Sequence, residues 1–167
     1  MKTSAITTLC LALAALALAA CGEEDVPEAG DVSAEAEQLA ERSQELQRDV
    51  RESVRRLIEE PAAREEQLDR LEALEEDARR LANRAERRLP EGDEAREELA
   101  EANRRAAEAA RQARQFAESR DEQALDDARA ALEDARSQLD DAVGELPTDV
   151  RRELEDLQRE LPEIPEQ

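Results

Sequence analysis

The feature that most constrains the fold is an apolar stripe with steps of three and four residues, interrupted at a few marked places. Val32, Ala36, Leu39, Ser43, Leu46, Val50 and Leu57 follow this step, with Val54 beside the seam. Such spacing puts its members on one face of a helix. Asp31 or Ser33 is placed to cap the start, and Glu35 and Glu37 suit the positive end of the helix dipole. Pro61 ends or kinks the helix, because it has no amide N–H and its ring crowds the preceding turn. A second stripe runs Leu68, Leu71, Leu74, Ala78, Leu81, Ala85 and Leu89, and stops at the turn Pro90-Glu91-Gly92-Asp93. Asp93 is placed to cap a third segment carrying Ala95, Leu99, Ala102, Ala106, Ala109, Ala113 and Phe116. That nearly all-alanine seam allows close helix approach but buries little area per residue. The stripe loses phase around Ser119–Glu122, which has capping-box spacing. It resumes with Leu125, Ala128, Leu132, Ala135, Leu139, Ala142 and Leu146, closed by Gly144 and Pro147. A short helix starting at Thr148 or Asp149 follows, with Val150, Leu154, Leu157 and Leu161, ending at Pro162 and Pro165.

Composition alone points two ways. Beyond residue 20, Leu, Val, Ile and Phe together fall below about 20% while net charge is high, which favours disorder. Dominance of Ala, Glu, Leu and Arg with this period favours long helices instead. The turn-forming Gly and Pro residues fall outside the stripes, so pattern and punctuation agree. The expected fold is therefore all-α: an antiparallel helical bundle or coiled coil of about four long helices plus a short C-terminal helix. One observation competes with it. The phase set by Ala36 persists through Leu57, Leu71, Ala85, Leu99 and Ala113, as it would in a single long rod.

The first 21 residues have a separate logic. Lys2 gives a charged start, an apolar run extends from Leu9 to Leu18, and small residues precede Cys21; these are the parts of a secretory signal. The run from Ile6 to Ala20 is shorter than the roughly 20 residues a membrane span requires. Leu18-Ala19-Ala20-Cys21 resembles the bacterial lipobox, the site of signal peptidase II. The resemblance implies a diacylglycerol thioether on Cys21, with cleavage just before it. The competing reading is an ordinary cleaved signal with a cysteine there by chance. Two or three acyl chains anchor firmly where one holds marginally. In proteobacteria an Asp after the lipidated Cys resembles an inner-membrane retention signal, so Gly22 implies the outer membrane and its periplasmic face. The expected organisation is residues 1–20 as signal peptide, 21–31 as lipidated Cys and acidic tether, 32–161 as helical bundle, and 162–167 as a Pro-containing tail.

What the chain lacks narrows its chemistry further. It has no His, and its only Lys is Lys2. Cys10 would leave with the signal and Cys21 would be acylated. Ser-His-Asp, Cys-His and Ser-Lys nucleophile systems then have no members. Zinc and di-iron sites lack their usual ligands, no Gly-rich phosphate loop is present, and no disulfide framework is expected. We expect no enzyme activity, cofactor or metal. The acidic groups Glu59-Glu60, Glu65-Glu66, Glu75-Glu76-Asp77 and Glu23-Glu24-Asp25 read as solvated helix faces or tether. Carboxylate pairs can also run glycoside hydrolysis, and the last cluster could bind Ca²⁺ weakly. Arg79-Arg80, Arg84, Arg87-Arg88 and Arg104-Arg105 are the basic concentrations. Intrahelical Glu–Arg pairing explains them, since nucleic acid would require a net positive face.

Long Ala-rich helices behind a lipobox resemble the major murein-type lipoproteins, whose C-terminal Lys is joined to peptidoglycan. With no Lys after Lys2, no covalent peptidoglycan link is expected. The 45 acids against 24 Lys and Arg imply self-repulsion that salt relieves. These readings converge on a lipid-anchored envelope protein acting as spacer or interaction module, with a protein partner or second copy as candidate company. The alternative is an acidic binding module or holdase for cationic or amphipathic clients.

Overall fold

The computed structural model describes residues 29–146, together with Thr148, Arg151, Arg152 and Leu154. The chain is an all-α bundle of four helices: α1 (Ala29–Glu59), α2 (Arg64–Arg88), α3 (Glu94–Ser119) and α4 (Glu122–Gly144). A 3-10 turn, Pro61–Ala63, joins α1 to α2. Beyond α4, Glu145 and Leu146 form a turn, Thr148, Arg151, Arg152 and Leu154 are helical, and Leu154 is buried. Val150, Leu157, Leu161 and the tail at 162–167 lie outside the described residues, as does most of the tether. Among the described residues no helix is long and apolar enough to cross a membrane.

Ion pairs and hydrogen bonds give the directions. Glu35 pairs with Arg84, and Asp49 with Arg70, so advancing along α1 means retreating along α2. The pairs Arg104–Glu86 and Arg114–Glu75 make α3 antiparallel to α2. Gln47 bonded to Ala135, with Arg51 bonded to Leu132, makes α4 antiparallel to α1. This is a bundle and not a rod, and Glu101 of α3 and Gln138 of α4 line one surface groove. The continuous phase has a geometric origin. Both reversals, at Arg64 and at Gly92, occupy whole heptad slots, so Leu57 to Leu71 and Ala85 to Leu99 stay in step across a change of direction.

Each helix end has a local cause. Leu89 is extended (φ −94°, ψ 147°), as suits the residue before a proline. Gly92 takes φ 82°, and the Asp93 side chain accepts from the Ala95 N–H at 3.1 Å, which caps α3. Two sequence expectations are corrected here. Ala29, Gly30 and Asp31 belong to α1, so the tether is shorter than read and neither Asp31 nor Ser33 stands at the start. One glycine in a helix costs only about 1 kcal/mol, which the ordered turns beyond it outweigh. At the last reversal no capping box forms between Ser119 and Glu122. Arg120 enters the left-handed region (φ 60°), and Asp121 caps α4 by accepting from Gln123 N–H at 3.1 Å.

α3 is the pivot of the packing. It lies against α2, α4 and α1, whereas α2 and α4 sit on opposite sides without backbone approach. Nine of its twelve buried residues are alanines, and small side chains are what let three neighbours come close. The core forms two apolar clusters. One surrounds Val50, Leu57, Leu71, Phe116, Leu125 and Leu132; the other surrounds Leu39, Leu89, Leu99, Leu139 and Leu146. Leu81 packs against both.

Candidate functional site

The lipobox residues Leu18, Ala19, Ala20 and the lipidation candidate Cys21 lie outside the described residues. Within the bundle, polar chemistry gathers in three places. The first is the buried face of α1. Ser43, Gln44, Gln47, Arg51 and Ser53 are all buried there. Gln47 Nε2 donates to the Ala135 carbonyl at 3.0 Å, Arg51 Nη2 to the Leu132 carbonyl at 3.3 Å, and Gln44 Nε2 to the Leu154 carbonyl at 2.8 Å. Arg51 also reaches Glu133 Oε1 at 3.1 Å. Ser43 Oγ donates to the Leu39 carbonyl and accepts from Asn103 Nδ2, each at 2.7 Å. By position this Ser43–Asn103 layer falls between the two apolar clusters.

The seam is incompletely satisfied. Gln44 Oε1, Gln47 Oε1, Arg51 Nε and Ser53 Oγ are buried without a hydrogen-bond partner. So are both amide atoms of Gln67 on α2. The Asp49–Arg70 pair fixes the hairpin register and puts Ser53 about level with Gln67. Ser43 belonged to the sequence stripe, but the burial of the other polar residues was not foreseen. The available signal was the i, i+3, i+7 spacing of Gln44, Gln47 and Arg51 beside that stripe.

The second place is a carboxylate group at the end formed by the α2–α3 turn and the close of α4. Burial pushes the Glu98 carboxyl above its ordinary value, and Asp141, Glu145, Glu94 and Asp93 add to the effect. Among the described residues no cluster of acids or other ligands is arranged to hold a metal ion.

The third is the arginine face. Arg79 binds Glu75, Arg80 binds Glu76 and Asp77, Arg84 binds Glu35, and Arg104 and Arg105 share Glu101. Glu75 is also held by Arg114 across the α2–α3 contact at 2.9 Å. The hydrogen bond from Arg84 draws the Glu35 carboxyl below its ordinary range, and those from Arg104 and Arg105 do the same to Glu101. Pairing is thus interhelical as well as intrahelical, and it consumes the acids Glu75-Glu76-Asp77 singled out in the sequence. Glu59-Glu60 and Glu65-Glu66 stay on the surface.

No protein-family model, curated protein or solved structure matches this chain. What the bundle can do is therefore argued from its own residues.

Proposed function

We propose that this chain is a lipid-anchored helical protein of the cell envelope, acting as a structural spacer or interaction module. The observation that carries the reading is the leader ending in Leu18-Ala19-Ala20-Cys21. Supporting it is a body in which many arginines pair with acids between and along helices. With no His and no Lys after Lys2, the reading is non-catalytic and needs no cofactor. It also involves neither nucleic acid nor a covalent link to peptidoglycan. Acyl chains on Cys21 would hold the protein in the membrane, with Gly22 favouring the periplasmic face of the outer membrane.

Cell fractionation with labelled palmitate tests the anchor. Cys21→Ser should abolish labelling and release the protein from membranes; a variant that stays labelled and membrane-bound overturns the reading. The second reading, an acidic binding module or holdase, draws on the carboxylate group around Glu98. Its signature is client binding that weakens steeply as ionic strength rises.

A further inference from the structure

We propose that the α1–α2 connection is a hinge across which α1 can pass to a second copy of this chain, giving a twofold pair in which α1 and α2 of each chain run on as one kinked helix.

The backbone is nearly helical through this connection. Glu60 N–H still donates to the Arg56 carbonyl at 2.8 Å, Pro61–Ala63 form a 3-10 turn, and Arg64 is right-handed helical (φ −53°, ψ −47°). The departures are Glu60 (φ −124°, ψ 73°) and Ala63 (φ −86°, ψ 9°). Rotation about Glu60 ψ is the main change separating hairpin from continuous helix.

Straightening leaves the buried stripe intact. Ala36, Ser43, Val50 and Leu57 of α1 and Leu71, Ala78 and Ala85 of α2 are all buried and share one heptad phase. A joined helix therefore keeps them on one face. α1 would meet in the second copy the same surfaces of α2, α3 and α4 that it meets in its own chain, the condition for exchanging an identical element. The α3–α4 reversal has no such property. It turns on a left-handed Arg120, and the stripe of Ala106, Ala113 is out of phase with that of Leu125, Leu132.

Two further observations set the balance. The unpartnered Gln44 Oε1, Gln47 Oε1, Arg51 Nε and Ser53 Oγ are all on α1, and water would satisfy them during release. Pro61 works in the other direction. A residue before proline is turned away from the helical region, so Pro61 favours the observed Glu60 conformation, and it supplies no N–H to the Leu57 carbonyl in a continuous helix. Pro61 is the lock on the hairpin. This inference does not depend on the anchor.

Spin labels at Arg42→Cys and Asp77→Cys, in the full chain carrying Cys10→Ser and Cys21→Ser, provide the test. Both positions are exposed and line one groove between α1 and α2. The hairpin holds them roughly 10–15 Å apart, given usual interaxial distances. In a continuous helix they stand about 50 Å apart at 1.5 Å per residue. Labelled chains are diluted with unlabelled ones, so that distances within one chain are read. The unaltered hinge should give mainly the short distance. Pro61→Ala should add the long one, increasing with protein concentration and accompanied by a doubled mass in sedimentation equilibrium. A Pro61→Ala chain showing the short distance alone at every concentration overturns the proposal, as does a long distance at monomer mass. Should Pro61→Ala lose its helical circular dichroism, the Pro61 chain refolded at high concentration carries the test. The long distance must then appear, and must vanish when Gly-Gly-Ser-Gly is inserted after Glu60; failure of either overturns the proposal.

Discussion

The contact between α3 and α4 and the contact between α1 and its neighbours are built on opposite plans. The first is an alanine seam: Ala102, Ala106, Ala109 and Ala113 on one helix, Ala124, Ala128, Ala131 and Ala135 on the other, with Leu99, Leu125, Leu132 and Leu139 among them. Close approach supplies many weak dispersion contacts, and the unpartnered buried atoms of α3, Glu98 Oε2 and Asn103 Oδ1, are fewer than those of α1. The second combines larger apolar residues, Leu39, Leu46, Val50, Val54 and Leu57, with five buried polar ones. Gln47 and Arg51 among them donate to α4 carbonyls, which as helix carbonyls already accept from their own backbone, so each bond gained is small beside the groups left unpaired. The comparison teaches that cohesion is unequal around the bundle. α3 and α4 form its firm half, and α1 is the helix whose departure is least opposed.

The sharpest way to break that comparison is a pair of substitutions in urea denaturation. Leu132→Ala opens a cavity in the firm half and should cost about 2–5 kcal/mol. Gln47→Leu removes a buried acceptor that has no partner, and should leave stability unchanged or raised. If Gln47→Leu costs as much as Leu132→Ala, the polar seam is a principal support and the contrast fails.

A smaller effect concerns the layer between the two clusters. Ser43 and Asn103 each keep a bond to their own helix, at the Leu39 and Leu99 carbonyls, so truncating one removes chiefly the bond between them. Ser43→Ala and Asn103→Ala should each cost about 0.5–1.5 kcal/mol. The double variant should show a coupling of the same size in a double-mutant cycle. Strict additivity would mean that the layer does not tie α1 to α3.

The smallest effect is expected at Glu98. Its folded carboxyl is raised above the ordinary 4.5, so at neutral pH the fold disfavours the ionised form. Glu98→Gln should therefore raise the thermal midpoint at pH 7 by an amount worth less than about 1 kcal/mol. The gain should fade as pH falls through the raised value, where Glu98 is protonated in the folded state. Glu35, Glu52, Glu101 and Glu108 are lowered through their arginine partners. Their contribution is present above the ordinary value and is lost as pH falls through the lowered one. A midpoint for Glu98→Gln that follows the parent at every pH would show that its environment adds nothing to stability.

The helices were legible in the sequence because stripe and punctuation are local: Pro61, Pro90, Gly92 and Asp93 mark ends by their own backbone chemistry. The last reversal was placed correctly by its loss of phase, but its cap was misassigned. Ser119 and Glu122 have the spacing of a capping box, yet a left-handed Arg120 lets Asp121 cap first. The direction of packing was not legible in heptad phase, because turns that fill whole heptad slots look the same as no turn. Nor was the polar seam. Gln47 and Arg51 are buried against the Ala135 and Leu132 carbonyls of α4, and Gln44 against the Leu154 carbonyl, partners far along the chain. The lipobox residues were read from the sequence alone, and the described bundle neither adds to that reading nor subtracts from it.

Phe116 is the only aromatic residue, for the chain has no Trp or Tyr. Its ring sits in the cluster with Leu125 and Leu132, and the Arg120 guanidinium lies 5.8 Å from the ring centre. Ring currents move the proton resonances of nearby methyl groups, and here every such shift has one source. The half of the core around Leu39, Leu99 and Leu139 contains no ring and is magnetically plain by comparison. A proton spectrum therefore divides the bundle into two halves without any label. Loss of the shifted methyls while helical dichroism persists would locate loosening at the Phe116 end, in a chain almost without absorbance at 280 nm.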